Sequence, residues 1–267
     1  MTTTDTTRAT AWATAADQLI AAERTATPCA PVRDLLTDPT VEDGYEIQRL
    51  VNQHRDTADR RVGRKIGLTA PAVQAQLGIE HPDFGVLYAS MAYGDGETIA
   101  FTDLLQPQLE AEIAFVLGAD LPEHRVTTAD VIRAVDVIVP SIEVCASRIA
   151  DWNIRAVDTV ADNASSGAYI LGGAPRRLTD VEDLKDVAME LGADGEVIGS
   201  GLGAESLGHP VTAVTWLANE VAARGEPLRA GETILSGSLG ELIPVRPGTD
   251  YVATFHGLGT VAVSFSH

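Results

Sequence analysis

The sequence has few of the residues that define several large protein classes. Cysteine occurs only at Cys29 and Cys145, which are far apart and match no metal-binding or redox spacing. This predicts a reducing cytoplasm and no disulfide framework. Basic residues are also scarce, because 19 Lys and Arg stand against 38 Asp and Glu, for a formal charge of −19. Such an acidic chain repels phosphate backbones and anionic membrane surfaces, so neither nucleic acid nor a membrane is expected as a partner.

Long apolar runs and several well-known motifs are missing as well. No stretch approaches the roughly 18 apolar residues of a membrane helix, and the first ten residues do not resemble a signal peptide. The glycines match neither nucleotide-binding loop, no serine lies in G-x-S-x-G, and the six histidines form no pair at helical spacing. These absences argue against a nucleotide-binding enzyme, a G-x-S-x-G hydrolase and a histidine metal site.

Two segments of different texture divide the 267 residues. Residues 1–61 are interpreted as a helical segment, with a frayed Thr-rich start, an amphipathic helix over Thr10–Arg24 and a second, N-capped helix over Thr40–Asp59. Residues 62–267 carry short β-type runs between Gly and Pro, which predicts a strand-rich catalytic body. Three helices are expected to interrupt that body, over Ala70–Leu77, Thr128–Ala134 and Pro210–Arg224.

Two glutamates share one face of an apolar predicted strand, Leu109–Leu117. Side chains alternate along a strand, so Glu110 and Glu112 point the same way. Like charges this close raise each other's pKa unless a cation neutralises them, and hard oxygen ligands favour Mg²⁺ or Mn²⁺. The alternative is an edge strand with one solvated acidic face, which is the commoner setting of a glutamate.

A third glutamate shifts this balance towards a metal site. Glu143 is the one ionisable residue of the apolar run Val137–Val144, and a charge in such a run needs a partner. It either pairs with Arg148 or completes a three-carboxylate site with Glu110 and Glu112. With both segments considered, the metal site is favoured.

Lysine usage gives a separate indication. Of the 19 basic residues only Lys65 and Lys185 are lysine, and a compact ammonium has uses that a guanidinium does not. Lys65 lies between glycines in G-R-K-I-G-L-T and is either a functional group or an exposed lysine. Lys185 lies in an acidic segment, which favours a surface ion pair. Asp83, in H-P-D-F-G, marks a strand entrance and alone indicates only a turn.

Two hydroxyl-bearing turns complete the candidate set. D-N-A-S-S-G contains Ser165 and Ser166, and S-G-S-L-G contains Ser238. Each turn is either a backbone nest that binds an anion or a simple turn.

The order of these motifs resembles the 2-keto-4-pentenoate hydratase family of the fumarylacetoacetate hydrolase-like superfamily. The segments G-R-K-I-G-L-T, H-P-D-F-G, L-E-A-E-I-A-F-V-L, P-S-I-E-V and D-N-A-S-S-G carry the resemblance, which covers nearly the whole chain. It implies an α+β fold, namely a mixed β-sheet roll of the fumarylacetoacetate hydrolase type with the N-terminal helices packed outside. It also implies a homo-oligomer.

The resemblance assigns roles to residues of this chain. Glu110, Glu112 and Glu143 match the family's ligands for a divalent metal, Mg²⁺ or Mn²⁺. Lys65 and Asp83 match its polar catalytic pair.

The implied substrate is a small dienoate. The reaction would add water to 2-hydroxypenta-2,4-dienoate or a close homologue and give a 4-hydroxy-2-oxo acid, in the degradation of aromatic-type compounds. Ser165 or Ser166 matches the serine near the substrate carboxylate, and Ser238 is a further candidate for substrate binding. No convincing His–Glu pair for a C–C hydrolase is found, which disfavours hydrolysis. Some family hydratases have a pathway decarboxylase or aldolase as a partner.

Two alternatives remain open. A 4-oxalocrotonate-type decarboxylase would use the same metal and dienolate chemistry, but its dicarboxylate substrate needs a cation at the far end of the pocket, for which Arg64, Arg148 and Arg155 are candidates. A non-catalytic binding subunit on the same scaffold is disfavoured by the full set of polar residues.

Overall fold

Two mixed β-sheets and five α-helices make up the part of the chain that the computed structural model describes, which comprises residues 3–70, 74, 79 and 81–267. The helices are α1 (Thr3–Thr25), α2 (Val41–Arg55), α3 (Thr128–Ala134), α4 (Ala156–Ala161) and α5 (Pro210–Ala223). The first seven strands are β1 (Arg61–Gly67), β2 (Asp83–Tyr88), β3 (Ala92–Tyr93), β4 (Thr98–Ile99), β5 (Gln108–Leu117), β6 (Val135–Cys145) and β7 (Ser166–Leu171). The remaining strands are β8 (Ala188–Ala193), β9 (Glu196–Leu202), β10 (Thr233–Leu235), β11 (Ile243–Pro244), β12 (Asp250–Phe255) and β13 (Gly259–Phe265).

The larger sheet runs in the order β2-β1-β10-β5-β6-β7-β3, with β11 paired to the start of β5. The β1–β10 and β3–β7 pairs are parallel, whereas the other neighbours in this sheet are antiparallel. The smaller sheet has the order β4-β13-β12-β8-β9. The predicted α+β fold with mixed sheets is confirmed.

The principal hydrophobic core lies on one face of the larger sheet. From β5 it takes Leu109, Ala111, Ile113 and Phe115, which pack with residues of the smaller sheet and with α5. Burial of each of the Leu, Ile and Phe side chains contributes about 1.5–3 kcal/mol. Because side chains alternate on a strand, burying this set turns Glu110 and Glu112 to the opposite face.

The N-terminal helices differ from the prediction at their ends. Helix α1 already begins at Thr3, so the frayed start predicted for the first ten residues is wrong from that residue onward. Its early turns are tied to α2, because Arg8 Nε donates to Asp43 Oδ1 at 2.6 Å and Trp12 Nε1 donates to the same oxygen at 2.8 Å. The capping box between Thr40 and Asp43 is present, but α2 ends at Arg55.

Short elements account for the other differences. Strands β3 and β11 have two residues each and α4 has six, too few to show a periodicity in the sequence. The helix predicted over Ala70–Leu77 lies mostly outside the described residues. The division at residue 61 stays a prediction. Among the helices described, none is long and apolar enough to cross a membrane.

Candidate metal and substrate site

Three glutamates meet on the face of the larger sheet that is turned away from the principal core. Glu110 is paired directly with Glu143, and Glu112 with Ser141, in the antiparallel register of β5 and β6. Directly opposed residues project to the same face, so all three carboxylates do so. Strand β5 lies between β10 and β6, and therefore the edge-strand alternative is wrong.

Burial dominates the electrostatics of these acids. Glu112 and Glu143 have no exposed surface, whereas Glu110 is partly exposed. Loss of hydration raises the pKa of all three carboxyls. For Glu143 burial, opposed by Lys65 and assisted by Glu110, raises the pKa to about 7. Such a cluster is stable as carboxylates only beside positive charge.

Several of the carboxylate oxygens have no hydrogen-bond partner. Glu112 Oε2 accepts a bond of 2.7 Å from the backbone N–H of Gly237, but Glu112 Oε1 and both oxygens of Glu143 are buried without one. Buried polar atoms are rarely left in this state. The free oxygens and the hard donor set fit a divalent cation such as Mg²⁺ or Mn²⁺.

Lys65 lies beside these acids on β1. Its side chain is buried, and Nζ is 3.1 Å from Glu143 Oε1, so the alternative of an exposed lysine is wrong. Burial on its own lowers the pKa of Lys65, but the surrounding negative groups outweigh it and the pKa is raised well above its usual value. The other lysine, Lys185, is exposed and pairs with Asp183, as predicted.

Asp83 can approach Lys65 closely because Gly67, which lies beside both residues, has no side chain. Gly67 is the cross-strand partner of Asp83, and a Cβ at Gly67 would lie 2.2 Å from Asp83 Oδ1 and 3.4 Å from Lys65 Nζ. Thr159 Oγ1 donates to Asp83 Oδ2 at 3.0 Å, whereas the buried Oδ1 has no partner. Burial raises the pKa of Asp83, and the charge of Lys65 opposes that shift. The two predicted catalytic residues are therefore neighbours.

The turn before β7 has an unusual backbone. Asn163, Ala164 and Ser165 all have φ between 50° and 55°, a left-handed conformation that costs about 1–3 kcal/mol at each non-glycine residue. The side chain of Asn163 holds the turn in place, because it accepts from the N–H of Val86 and donates to the carbonyl of Val86, at 2.8 and 2.9 Å.

The two serines of this turn face different surroundings. Ser165 Oγ donates to Asp162 Oδ2 at 3.3 Å. Ser166 Oγ donates to the carbonyl of Asn163 at 2.9 Å and would lie 2.8 Å from a Cβ at Gly85. Gly85 is the cross-strand partner of Lys65, so Ser166 lies on the face that carries Lys65.

At the turn of Ser238, the third candidate serine, the contact with the carboxylates is made by the neighbouring residue, Gly237. Ser238 Oγ donates to the carbonyl of Gly240 at 2.9 Å and thereby closes its own turn. The contact with the carboxylates comes instead from the N–H of Gly237, whose φ of 97° and close approach to Thr69 exclude a side chain there.

Two of the three candidate arginines, Arg64 and Arg148, are engaged by other acids and do not offer a cation for a second substrate carboxylate at this face. Arg148 is buried and bonded to Asp162 and to the carbonyl of Ser166, so the alternative pairing of Glu143 with Arg148 is wrong. Arg64 alternates with Lys65 on β1 and pairs with Glu226 at 2.9 Å. The side chain of Arg155 is exposed.

Sequence reasoning missed Cys145. Its Sγ donates to Glu110 Oε2 at 3.4 Å and lies 3.9 Å from Lys65 Nζ. Among the described residues, Glu110, Glu143 and Cys145 form a group whose ligand atoms lie within 4.8 Å of one another, and Glu112 is not part of that group. The signal was present in the sequence, since Cys145 follows Glu143 by two residues and so shares its face.

Comparison with known proteins gives a consistent result. Residues 51–266 match the family model of the fumarylacetoacetate (FAA) hydrolase C-terminal region. A 2-keto-4-pentenoate hydratase of Paraburkholderia xenovorans is 50% identical over 252 residues, covering 94% of this chain and 93% of the relative. The TodF product hydratase of Pseudomonas putida F1 is 49% identical over 263 residues, covering 98% of each. Among solved structures, the 4-oxalocrotonate decarboxylase of Pseudomonas putida G7, complexed with magnesium and adipate, is 35% identical with a TM-score of 0.91, over 97% of this chain and 98% of that one.

Proposed function

The chain belongs to the fumarylacetoacetate hydrolase family, and we propose that it is a metal-dependent hydratase that adds water to 2-hydroxypenta-2,4-dienoate or a close homologue. The product is a 4-hydroxy-2-oxo acid, and the step belongs to the degradation of aromatic compounds. One observation carries the proposal: three glutamates, two of them fully buried, share one face of a single sheet with a buried lysine and a buried aspartate. The relatives at about half identity are named as hydratases.

The metal site consists of Glu110, Glu112 and Glu143, with Mg²⁺ or Mn²⁺ as the ion. Unpartnered oxygens on Glu112 and Glu143 support this assignment, as does the magnesium complex of the decarboxylase. When bound, the ion supplies Lewis-acid polarisation of the substrate's 2-oxygen and carboxylate, which stabilises enolate charge by several kcal/mol. The N–H of Gly237 donates to Glu112 Oε2 and so fixes the orientation of that carboxylate.

Lys65 and Asp83 handle the protons and the anionic substrate. The ammonium of Lys65 holds the substrate carboxylate or enolate and keeps it anionic. Asp83 Oδ1, which is buried and unpartnered, relays protons or orients the attacking water. A positioned acid or base of this kind contributes on the order of 10²–10⁴ in rate. Ser166 rather than Ser165 is assigned to the substrate carboxylate, because its hydroxyl lies on the face of Lys65.

The reaction needs two proton transfers and one addition. The dienol gives up its 2-hydroxyl proton and accepts a proton at the terminal carbon, which yields the 2-oxo-3-ene form. Water then adds at the carbon conjugate to the ketone, its oxygen at C4 and its proton at C3. Asp83 and Lys65 are the ionisable residues to which we assign these proton transfers.

The 4-oxalocrotonate decarboxylase activity is the second candidate, because that enzyme's solved structure is so similar over the whole chain. A dicarboxylate substrate needs a cation at its far end. Arg64 and Arg148 are already paired with other acids, which favours the shorter monocarboxylate.

A single spectrophotometric experiment separates the two activities. Freshly generated 2-hydroxypenta-2,4-dienoate and 4-oxalocrotonate are each added to the enzyme with Mg²⁺, with and without EDTA, and loss of dienol absorbance and release of CO₂ are followed. The hydratase proposal expects EDTA-sensitive turnover of the first compound and no CO₂ from the second. CO₂ release from 4-oxalocrotonate as the faster reaction would establish the decarboxylase, and no turnover of either would favour a non-catalytic subunit.

Assembly and location remain predictions. We propose a homo-oligomer in the cytoplasm, with a pathway decarboxylase or aldolase as its candidate partner. Light scattering on the purified protein, alone and mixed with each candidate, tests the assembly.

A further inference from the structure

The side chain of Cys145 lies beside the proposed metal ligands, and the proposed mechanism assigns it no role. It is the last residue of β6, is 4% exposed, and lies two residues after Glu143 on the same face. Its Sγ is 3.4 Å from Glu110 Oε2. The other cysteine, Cys29, lies before α2, where it forms an isolated bridge with Ile149.

The spacing of Cys145 and Glu110 suits a thiolate-containing metal site, and Glu143 lies near enough to join it. With zinc bonds of about 2.3 Å to sulfur and 2.0–2.2 Å to oxygen, two tetrahedral ligands lie about 3.5 Å apart. The observed separation of Cys145 Sγ from Glu110 Oε2 is 3.4 Å, and the nearest ligand atom of Glu143 completes a group within 4.8 Å. Glu143 Oε2 is buried without a hydrogen bond and is available as a donor, whereas Oε1 forms an ion pair with Lys65.

The strand register separates this donor set from the three-glutamate set. Along β5 and β6 the opposed pairs are Glu112 with Ser141, Glu110 with Glu143, and Gln108 with Cys145. Glu112 and Cys145 therefore lie on opposite sides of the shared pair, Glu110 and Glu143. An ion drawn towards the sulfur moves away from Glu112.

We propose that Cys145, Glu110 and Glu143 form a second donor set that binds a thiophilic divalent ion such as Zn²⁺ or Co²⁺ in place of Mg²⁺. Thiolate sulfur favours such ions, whereas Mg²⁺ prefers oxygen alone. On binding, the thiol releases its proton to water and the metal–sulfur bond forms with no change of oxidation state. Because Glu110 and Glu143 are shared, the thiophilic ion competes with Mg²⁺, and excess zinc inhibits the enzyme. This inference deepens the proposed function and rests on it only for the competition with Mg²⁺.

Lys65 sets the main electrostatic cost of this binding. Its ammonium lies 3.1 Å from Glu143 Oε1 and 3.9 Å from Cys145 Sγ, where it repels an incoming cation. Asp83 Oδ1, unpartnered beside it across Gly67, offers the ammonium an alternative acceptor. Lys65 therefore turns towards Asp83 when the thiophilic ion is bound.

The test is a Co²⁺ titration of the full-length, metal-stripped protein, followed by near-ultraviolet absorbance. Thiolate bound to Co²⁺ gives a charge-transfer band that oxygen ligands do not give. We expect the band in the wild type and in Cys29→Ser, and its loss in both Cys145→Ser and Cys145→Ala. We also expect the Zn²⁺ affinity of the Cys145 variants to fall on the order of tenfold or more, since one metal bond is lost, with a smaller change for Mg²⁺.

The outcomes distinguish this inference from the proposed function. A wild-type protein with Mg²⁺-dependent hydratase turnover but no thiolate band contradicts the Cys145 site and leaves the hydratase standing. A thiolate band without turnover of any dienoate contradicts the hydratase and retains the site. X-ray absorption of the Zn²⁺ form is a second readout: a sulfur neighbour at about 2.3 Å is expected in Cys29→Ser, and its persistence in Cys145→Ser overturns the assignment.

Discussion

Glu110 and Glu143 stand directly opposite each other on neighbouring antiparallel strands. Two acids in this relationship repel each other, and both are placed where solvent screens them poorly. A slip of one residue in the register would turn one of them into the principal core. The repulsion between the two carboxylates is therefore offset only by a positive partner. Lys65 is one such partner, and the divalent ion that we propose is another.

The carboxylates are tested by Glu143→Gln, which keeps the shape of the side chain and removes its charge. Turnover with Mg²⁺ should fall by about 10³-fold or more, because several kcal/mol of metal-dependent stabilisation are lost. Thermal unfolding should show an intact fold, since the variant buries less charge. Glu190→Gln, at an exposed position of β8, is the matched control and should retain turnover. Normal Mg²⁺ dependence in Glu143→Gln would contradict the metal assignment.

Lys65→Arg tests whether the site needs an ammonium rather than any cation. The guanidinium is larger and planar, so it must displace its neighbours to reach the buried position 3.1 Å from Glu143 Oε1. It also stays protonated at all working pH values, so we expect a loss of about 10²–10⁴ in kcat. Lys185→Arg provides the control, because the only other lysine is exposed and pairs with Asp183. Equal rates in the two variants would refute a specific role for Lys65.

Gly85→Ala tests the placement of the turn before β7. A Cβ at this position would lie 2.3 Å from the carbonyl of Asn163 and 2.8 Å from Ser166 Oγ. The turn must move, which we expect to cost about 1–3 kcal/mol of stability and to raise KM by displacing Ser166. Gly173 is exposed, and a Cβ at this position would have no close neighbour. Gly173→Ala should therefore behave as the wild type. An unchanged KM in Gly85→Ala would remove Ser166 from the substrate site.

Asp43 makes the stability of the helical segment depend on pH. Burial alone raises the pKa of Asp43, but hydrogen bonds from Arg8, Thr40 and Trp12 outweigh it and hold the pKa well below its ordinary value. Because the folded pKa is depressed, this stabilisation is fully present above the unfolded pKa of about 3.9 and is lost as the pH falls towards the folded value.

Urea unfolding of Asp43→Asn measures this effect. The variant should be less stable than the wild type by about 2 kcal/mol at neutral pH, as for loss of hydrogen bonds to a charged group, and the difference should narrow below about pH 4. Asp17→Asn, exposed on α1, should show no such difference. A gap that is constant or widens in acid would contradict the assignment.

The long elements of the fold were predictable because they show periodicity. Helix α3 has the predicted bounds, and β5 differs from its prediction by one residue. Alternation on β5 also predicted that Glu110 and Glu112 share a face, which the register confirms. The two-residue strands β3 and β11 show no pattern of their own and form because neighbouring strands supply the hydrogen bonds.

The site was predictable in its carboxylates and less so in its supporting groups. Proximity of Lys65 to Asp83 depends on the pairing of β1 with β2 and on the missing side chain at Gly67, which no local pattern shows. Arg148 pairs with Asp162 rather than with Glu143. This pairing likewise depends on contacts between segments that are separated in the sequence. The spacing of Cys145 from Cys29 matches no metal-binding motif and gives no indication of a role. The informative feature is the position of Cys145 on β6, two residues after Glu143.

The most direct test of the account is the anomalous diffraction of crystals grown with Mn²⁺. We expect one strong peak, within about 2.3 Å of carboxylate oxygens from Glu110, Glu112 and Glu143, and its disappearance in Glu143→Gln. A peak at any other position, or full occupancy in that variant, would contradict the claim that these three glutamates hold the metal.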